Sequence, residues 1–136
     1  MKPVNRRSFL SAAVAAPVAG VLASDASARI RIGQLGTSHS HAPGKMQALL
    51  SLSDLYEVAG IAEPIPDRRA EVEKRRPYAD LKWLSEEALL SDQNVQAIAV
   101  ETTLTDSPRA ALACLRAGKH IHLDKPGAPT PAEDKA

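Results

Sequence analysis

The stretch RIRIGQLGTSHSHAPGK, residues 29–45, indicates the fold class of this chain. Its first part, RIRIGQL (29–35), is short and β-branched and is followed by Gly36, which predicts a strand and a tight turn. Ser40 is a residue type that caps helices, and Pro43 suits a first helical turn, so we predict that a helix starts there. The helix is expected to direct four apolar side chains towards a core: Met46, Leu49, Leu50 and Leu52.

The rest of the chain continues this alternation of strand and helix. Buried apolar runs such as YEVAGIA (56–62) are typical of parallel strands, and helical segments of about 10 residues separate them. The predicted fold class is therefore α/β: a single-domain, Rossmann-like, doubly wound parallel sheet. Further strands are predicted at 81–83, 94–102 and within 119–127, and further helices at 66–76, 85–90 and 107–117, with Gly118 just past the last helix.

Composition limits the classes of partner. The chain has 136 residues, enough for one domain, and a net charge of +1. So small a charge does not favour a nucleic acid or a membrane surface as partner, and we predict neither. Cys114 is the one cysteine of the sequence, which excludes an intramolecular disulfide and disfavours a cysteine-based metal site.

Residues 1–28 have the order of an export signal. NRRSFL (5–10) resembles a twin-arginine signal, an Ala-rich apolar run follows at 9–23, and small residues surround Ala28. The apolar run is shorter than the roughly 20 residues of a membrane-spanning helix, so we predict no stable membrane anchor. The prediction is a mature chain of residues 29–136 exported to the periplasm, with an ordinary secretory signal as the alternative.

Ligands of open parallel sheets bind beyond the carboxyl ends of the strands. At the first strand end, the three places of the glycine pattern G-x-G-x-x-G hold Gly36, Ser38 and His41. Backbone amides and the helix N-terminus could still receive a phosphate there. On the residues alone, two interpretations are open: a variant phosphate-binding turn or an ordinary turn between strand and helix.

Glu63 follows the second strand, where an acidic residue can accept hydrogen bonds from an adenosine ribose. A carboxylate at that place favours NAD, because it repels the 2′-phosphate of NADP. NADP stays open, because Arg68 and Arg69 are near enough in sequence to supply a compensating charge.

The segment AGKHIHLDKP, residues 117–126, resembles the A-G-K-H-x-x-x-E-K-P segment of the Gfo/Idh/MocA oxidoreductases, with Asp124 in place of the usual glutamate. The GQLG turn, the acid after the second strand and SDQNVQAIAVET (91–102) match the family in the same order. The resemblance therefore covers the predicted mature chain.

This resemblance implies a nicotinamide-dependent enzyme that transfers hydride to or from a sugar, a polyol or a related compound. By analogy Lys125 would be catalytic, beside the nicotinamide and the reacting hydroxyl, on a turn fixed by Pro126. The sequence departs from the family pattern after the fourth strand, and Thr102 is the one residue there to which the family's role is carried over. The implied cofactor-binding residues are Gly36, Thr37, Ser38, His39, Glu63, Thr102, Asp124 and Lys125.

The family's second domain, which supplies the substrate pocket and a surface for homo-oligomers, has no counterpart in this sequence. We therefore expect a fragment or a truncated product, and the alternative function is a non-catalytic nucleotide-binding or interaction module.

The four histidines form two H-x-H pairs, His39/His41 and His120/His122. Each pair could contribute two metal ligands. A four-histidine site would need the pairs to converge, but His120 begins its strand at the end opposite the cofactor edge. We therefore predict no metal.

Overall fold

The structure is a computed structural model that describes residues 28–125. The predicted export signal therefore lies outside the described residues except for Ala28, and so does Pro126. Five strands and four helices alternate along the described part of the chain. They are β1 Ile30–Leu35, α1 Ala42–Ser51, β2 Tyr56–Ala62, α2 Pro66–Val72, β3 Trp83–Leu84, α3 Glu86–Ser91, β4 Ala97–Val100, α4 Ser107–Arg116 and β5 His120–Leu123.

All five strands are parallel and form one sheet in the order β3-β2-β1-β4-β5. The chain moves outwards from β1 to β3, then crosses back to β4 on the other side of β1. The strand order thus reverses between β1 and β4, which is the switch point where such sheets bind ligands. The predicted fold class, a Rossmann-like doubly wound sheet, is confirmed.

The core has two parts, one on each face of the sheet. Ile61 and Ala62 are consecutive on β2, so their side chains point to opposite faces. Ala62 belongs to a cluster that includes Leu89 of α3 and Cys114 of α4. Ile61 belongs to a second cluster, with Met46 of α1, Val72 of α2 and Tyr78. Helices therefore cover both faces, as expected for a parallel sheet.

Several predicted boundaries and contacts are wrong. Helix α1 begins after His41, whose side chain makes no capping bond, so Ser40 is not its cap. Met46 and Leu49 are buried as predicted, but Leu50 and Leu52 are exposed. Leu50 lies at the margin of the buried stripe of α1, and Leu52 follows the helix as its non-helical C-cap, so neither side chain reaches the core.

The predicted helix at 66–76 ends at Val72. The chain then turns so that Tyr78 enters the core, where its hydroxyl lies 3.3 Å from Gln34 Nε2. The strand predicted at 94–102 is likewise shorter, Ala97–Val100. By contrast, Ser85 caps α3 as predicted, its hydroxyl accepting the Ala88 amide at 3.0 Å.

Within residues 28–125, no helix combines the length and the apolar character needed to cross a membrane.

Gly36 lies where the turn after β1 meets the end of β4. Its φ of +86° is in the left-handed region, which favours glycine. A Cβ atom added to Gly36 would lie 2.7 Å from the Thr102 nitrogen and 2.8 Å from the Glu101 carbonyl carbon. Those atoms belong to the backbone and cannot move aside without distorting the end of β4, so only glycine fits.

We expect Gly36→Ala to lower the free energy of unfolding by about 2 kcal/mol or more, from the left-handed backbone and the crowding together. Gly44→Ala is the matched control, because a Cβ at Gly44 of α1 meets nothing within 4 Å. This second change should raise the stability by about 0.5–1 kcal/mol. Urea denaturation followed by circular dichroism measures both, and equal stability of Gly36→Ala and wild type would contradict the close approach.

Candidate functional site

Backbone hydrogen bonds attach the turn after β1 to the ends of both neighbouring strands. The Gly36 amide donates to the Ala62 carbonyl of β2 at 2.7 Å. On the other side, the amides of Ser38 and His39 both donate to the Glu101 carbonyl, each at 3.0 Å. The turn is therefore fixed over the switch point of the sheet.

Most amides of this turn already have acceptors within the protein. Thr37 donates to the Glu63 carboxylate, Ser38 and His39 donate to Glu101, and the His41 amide donates to the ring of His39 at 3.2 Å. Within residues 37–42, the Ser40 amide has no protein acceptor. A phosphate at the start of α1 would thus meet the Ser40 amide of the turn and the neighbouring side chains, fewer turn amides than the sequence suggested.

Glu63 is buried at the end of β2, with 8% of its surface exposed. One carboxylate oxygen accepts both the amide and the hydroxyl of Thr37 at 2.7 Å, and the other accepts the Ile65 amide at 2.9 Å. These bonds hold the carboxylate beside the turn. Each oxygen has two lone pairs, and Oε1 accepts one hydrogen bond, so it retains capacity for a ligand hydroxyl.

The two arginines after β2 have different roles. Arg68 donates to the Thr37 carbonyl at 2.9 Å, so its guanidinium lies beside the turn and near Glu63. Arg69 lies over the Trp83 ring, 5.3 Å from its centroid, and pairs with Glu73. Of these two, Arg68 alone is positioned to offset the charge of Glu63.

An open cleft of about 530 Å³ lies above the carboxyl ends of β1, β2 and β4. Ser38, Glu63 and Thr102 line it, and Arg109 closes part of its wall. Arg109 is held by Glu86 at 2.7 Å and by Asp106 at 2.6 Å, and hydrogen bonds to these carboxylates raise its pKa. We call this space the β1/β4 cleft.

A network of charged groups lies at the ends of β4 and β5. The Lys45 ammonium of α1 is 2.8 Å from the fully buried Glu101 carboxylate, 3.0 Å from Asp124 and 2.7 Å from His122 Nε2. Asp124 in turn contacts His41 Nδ1 at 2.8 Å. We call these residues the Lys45 network.

Hydrogen bonds and opposite charges shift the pKa values of Lys45 and Asp124. Burial lowers the pKa of Lys45, but its interactions with Glu101 and Asp124 outweigh burial and raise the pKa above its usual value. Hydrogen bonds from His41 and Lys45 hold the pKa of Asp124 well below its usual range. Asp124 therefore stabilises the fold fully above the unfolded value of about pH 3.9, and this contribution disappears as the pH falls through the lower folded value.

The structure divides the predicted site residues into two groups. Gly36, Thr37, Ser38, Glu63 and Thr102 lie at or directly beside the β1/β4 cleft. The other three, His39, Asp124 and Lys125, lie with the Lys45 network at the end of β5.

Lys125 is exposed, and its backbone amide donates to Asp124 at 2.8 Å. His120 begins β5 at the opposite end of that strand, as predicted. The contacts of these residues with a cofactor or substrate stay predictions.

Sequence reasoning missed Lys45, Glu101 and Arg109. Lys45 and Arg109 stand in predicted helices, where no sequence pattern distinguishes them from other charged residues. Of these three residues, only Glu101 could have been identified from the sequence. It directly follows the apolar run AIAV, and an acid in that place lies at the carboxyl edge of the sheet.

The whole predicted mature chain apart from its first residue matches a known family: residues 30–136 fit the Gfo/Idh/MocA profile, described as an oxidoreductase family with an NAD-binding Rossmann fold. The chain belongs to this family. A search of curated proteins finds no significant match.

Several solved structures share the fold. A protein of Erwinia carotovora atroseptica assigned to the oxidoreductases is 28% identical, with a TM-score of 0.67 over 77% of this chain and 31% of its own length. The WlbA dehydrogenase of Bordetella pertussis, solved with NADH and UDP-GlcNAcA, is 22% identical, with a TM-score of 0.65 over 79% of this chain and 32% of its own.

A third structure of this fold is the biliverdin reductase of Synechocystis, solved with biliverdin and NADP+. It is 21% identical, with a TM-score of 0.64 over 78% of this chain and 32% of its own length. The Gfo/Idh/MocA chain described here thus spans about a third of the length of these neighbours.

We expect Lys45→Met to lower the free energy of unfolding by about 3 kcal/mol, because it leaves the buried Glu101 carboxylate without its cation. Lys125→Met, which removes an exposed ammonium on the same edge, should change it by no more than about 0.5 kcal/mol. Urea denaturation at neutral pH compares the two variants. Equal small losses would show that Lys45 and Glu101 do not form a buried pair.

Proposed function

We propose that this chain is the NAD(P)-binding part of an exported oxidoreductase that acts on a sugar, a polyol or a related compound by hydride transfer. The observation that carries the proposal is the position of the buried Glu63 carboxylate, which is hydrogen-bonded to the turn after β1 and faces the β1/β4 cleft. This pairing of turn and acid at the switch point suits the adenosine half of a dinucleotide.

The cleft provides room and polar groups for that half of the cofactor. Its volume of about 530 Å³ is within the ordinary range of small-molecule sites. In the proposed arrangement, Glu63 accepts hydrogen bonds from the ribose hydroxyls, and the apolar side chain of Ile65 lines the space beside it. The pyrophosphate would reach the free Ser40 amide at the N-terminus of α1.

Hydride chemistry would take place towards the end of β5. The bound nicotinamide supplies the hydride acceptor or donor. Lys125 lies on this edge with an exposed side chain, and its ammonium would stabilise negative charge that develops on the reacting oxygen. Asp124 receives the Lys125 amide and so orients the backbone that presents the lysine.

A structural neighbour supports the proposed substrate class, and the N-terminal sequence supports the proposed location in the cell. The WlbA dehydrogenase, a structural neighbour, was solved with a nucleotide sugar. The NRRSFL segment supports export through the twin-arginine pathway to the periplasm, a route for proteins that fold before transport.

We expect the chain to bind NAD+ more tightly than NADP+. Glu63→Gln removes the charge that repels the 2′-phosphate, so the ratio of the two dissociation constants should shift towards NADP+ by about tenfold. Calorimetric titration of both nucleotides measures this ratio. Glu57→Gln is the control, because Glu57 of β2 pairs with Arg31 away from the cleft. An unchanged ratio in Glu63→Gln, or no binding of either nucleotide, would contradict the proposed site.

The export proposal has its own test. Replacing Arg6 and Arg7 together by lysine should leave the protein in the cytoplasm with its first 28 residues attached. The matched control replaces the exposed pair Arg75 and Arg76, also by lysine, and should leave export unchanged. Cell fractionation with mass spectrometry of the N-terminus reads the outcome. Normal processing of the first variant would refute the twin-arginine route.

A further inference from the structure

Three metal-ligating side chains meet at the edge of the Lys45 network. One ligand atom from each of His39, His41 and Asp124 lies within 4.8 Å of the other two. Asp124 Oδ2 is 2.8 Å from His41 Nδ1 and 3.6 Å from His39 Nδ1. The turn after β1 supplies both histidines and the end of β5 supplies the carboxylate, so three ligands from distant parts of the sequence converge.

Both the ligand types and their spacing suit a transition-metal ion. Two imidazole nitrogens and a carboxylate oxygen form a common catalytic zinc set, with the fourth position left to water or a ligand. Ligands at about 2.0–2.2 Å from a tetrahedral ion lie roughly 3.3–3.6 Å apart. The two separations from Asp124 Oδ2, 2.8 and 3.6 Å, bracket this range, and the three ligand atoms all lie within 4.8 Å of one another.

The net formal charge around these ligands favours the binding of a cation. Glu101 and Asp124 carry two negative formal charges and Lys45 carries one positive formal charge, so these three groups together are net negative. Lys45 lies nearer to Glu101, at 2.8 Å, than to Asp124, at 3.0 Å. When Asp124 turns to a metal, the ammonium therefore retains the buried Glu101 as its partner.

Existing contacts of the two histidine ligands are few and replaceable. The ring of His39 accepts the His41 amide at 3.2 Å and lies 3.6 Å from Glu101 Oε2. Ligation through His39 Nδ1 would replace this long hydrogen bond. The Nδ1 of His41 contacts Asp124 at 2.8 Å, and the side chain of His41 is 61% exposed, so little protein surrounds its ring.

We propose that His39, His41 and Asp124 bind one divalent transition-metal ion of the Zn²⁺ type, with an open position for water or a ligand oxygen. This assignment replaces the expectation of no metal, which considered the two histidine pairs and did not include Asp124. It does not depend on the proposed nucleotide function, because the site is complete without a nucleotide.

The test is a titration of the full chain, freed of metal by a chelator, with Zn²⁺ in competition with a chromophoric chelator and without any nucleotide. We expect one Zn²⁺ per chain. His41→Ala and Asp124→Asn should each weaken binding at least about tenfold, by analogy with the loss of supporting groups at metal sites. His120→Ala is the control and should bind like wild type, since His120 is exposed at the far end of β5.

Wild-type chain that binds no Zn²⁺ in stoichiometric amount would overturn the proposal, and so would equal weakening by His120→Ala. Circular dichroism checks the fold of each variant. If a ligand variant does not fold, the visible spectrum of the wild-type Co²⁺ complex decides: intense bands of a four- or five-coordinate site support the assignment, and the weak spectrum of the hexa-aqua ion overturns it.

Discussion

The close approach of Gly36 to the backbone at Glu101 and Thr102 is the constraint on which the rest of the site depends. A side chain at Gly36 would overlap the end of β4, so only glycine allows the turn to lie directly on the switch point. Three backbone bonds, from Gly36 to β2 and from Ser38 and His39 to Glu101, then fix the turn. On one side the turn meets Glu63 and the β1/β4 cleft, and on the other it brings His39 and His41 to Asp124.

Burial of the Glu101 carboxylate determines which ionic contacts form at the ends of β4 and β5. A charge removed from water requires a close partner, and Lys45 supplies it at 2.8 Å. Lys45 also reaches Asp124, so the start of α1 is tied by ionic contacts to the ends of both β4 and β5. The proposed catalytic lysine, Lys125, follows Asp124 directly, so the contacts of Asp124 also position the backbone of Lys125. The ionic network thus links the cofactor turn to the edge where hydride transfer is proposed.

Patterns local in sequence predicted most of the fold. The apolar run at 56–62, the glycine after the first strand and Ser85 before α3 were each interpreted correctly, because backbone geometry depends on neighbouring residues. The site was harder to predict. The ion pair of Lys45 with Glu101 joins residues on α1 and after β4, and the meeting of His41 with Asp124 spans 83 positions. Such contacts cannot be inferred from spacing in the sequence, and Asp124 was therefore predicted only as a cofactor-binding residue.

A crystal structure of the chain grown with NAD+ tests the central claim most directly, since it locates the cofactor relative to Gly36 and Glu63. The account predicts the adenosine in the β1/β4 cleft, with a ribose hydroxyl within about 3 Å of the Glu63 carboxylate and the pyrophosphate at the start of α1. Nucleotide bound elsewhere on the surface, or a cleft that stays empty at saturating NAD+, would contradict it.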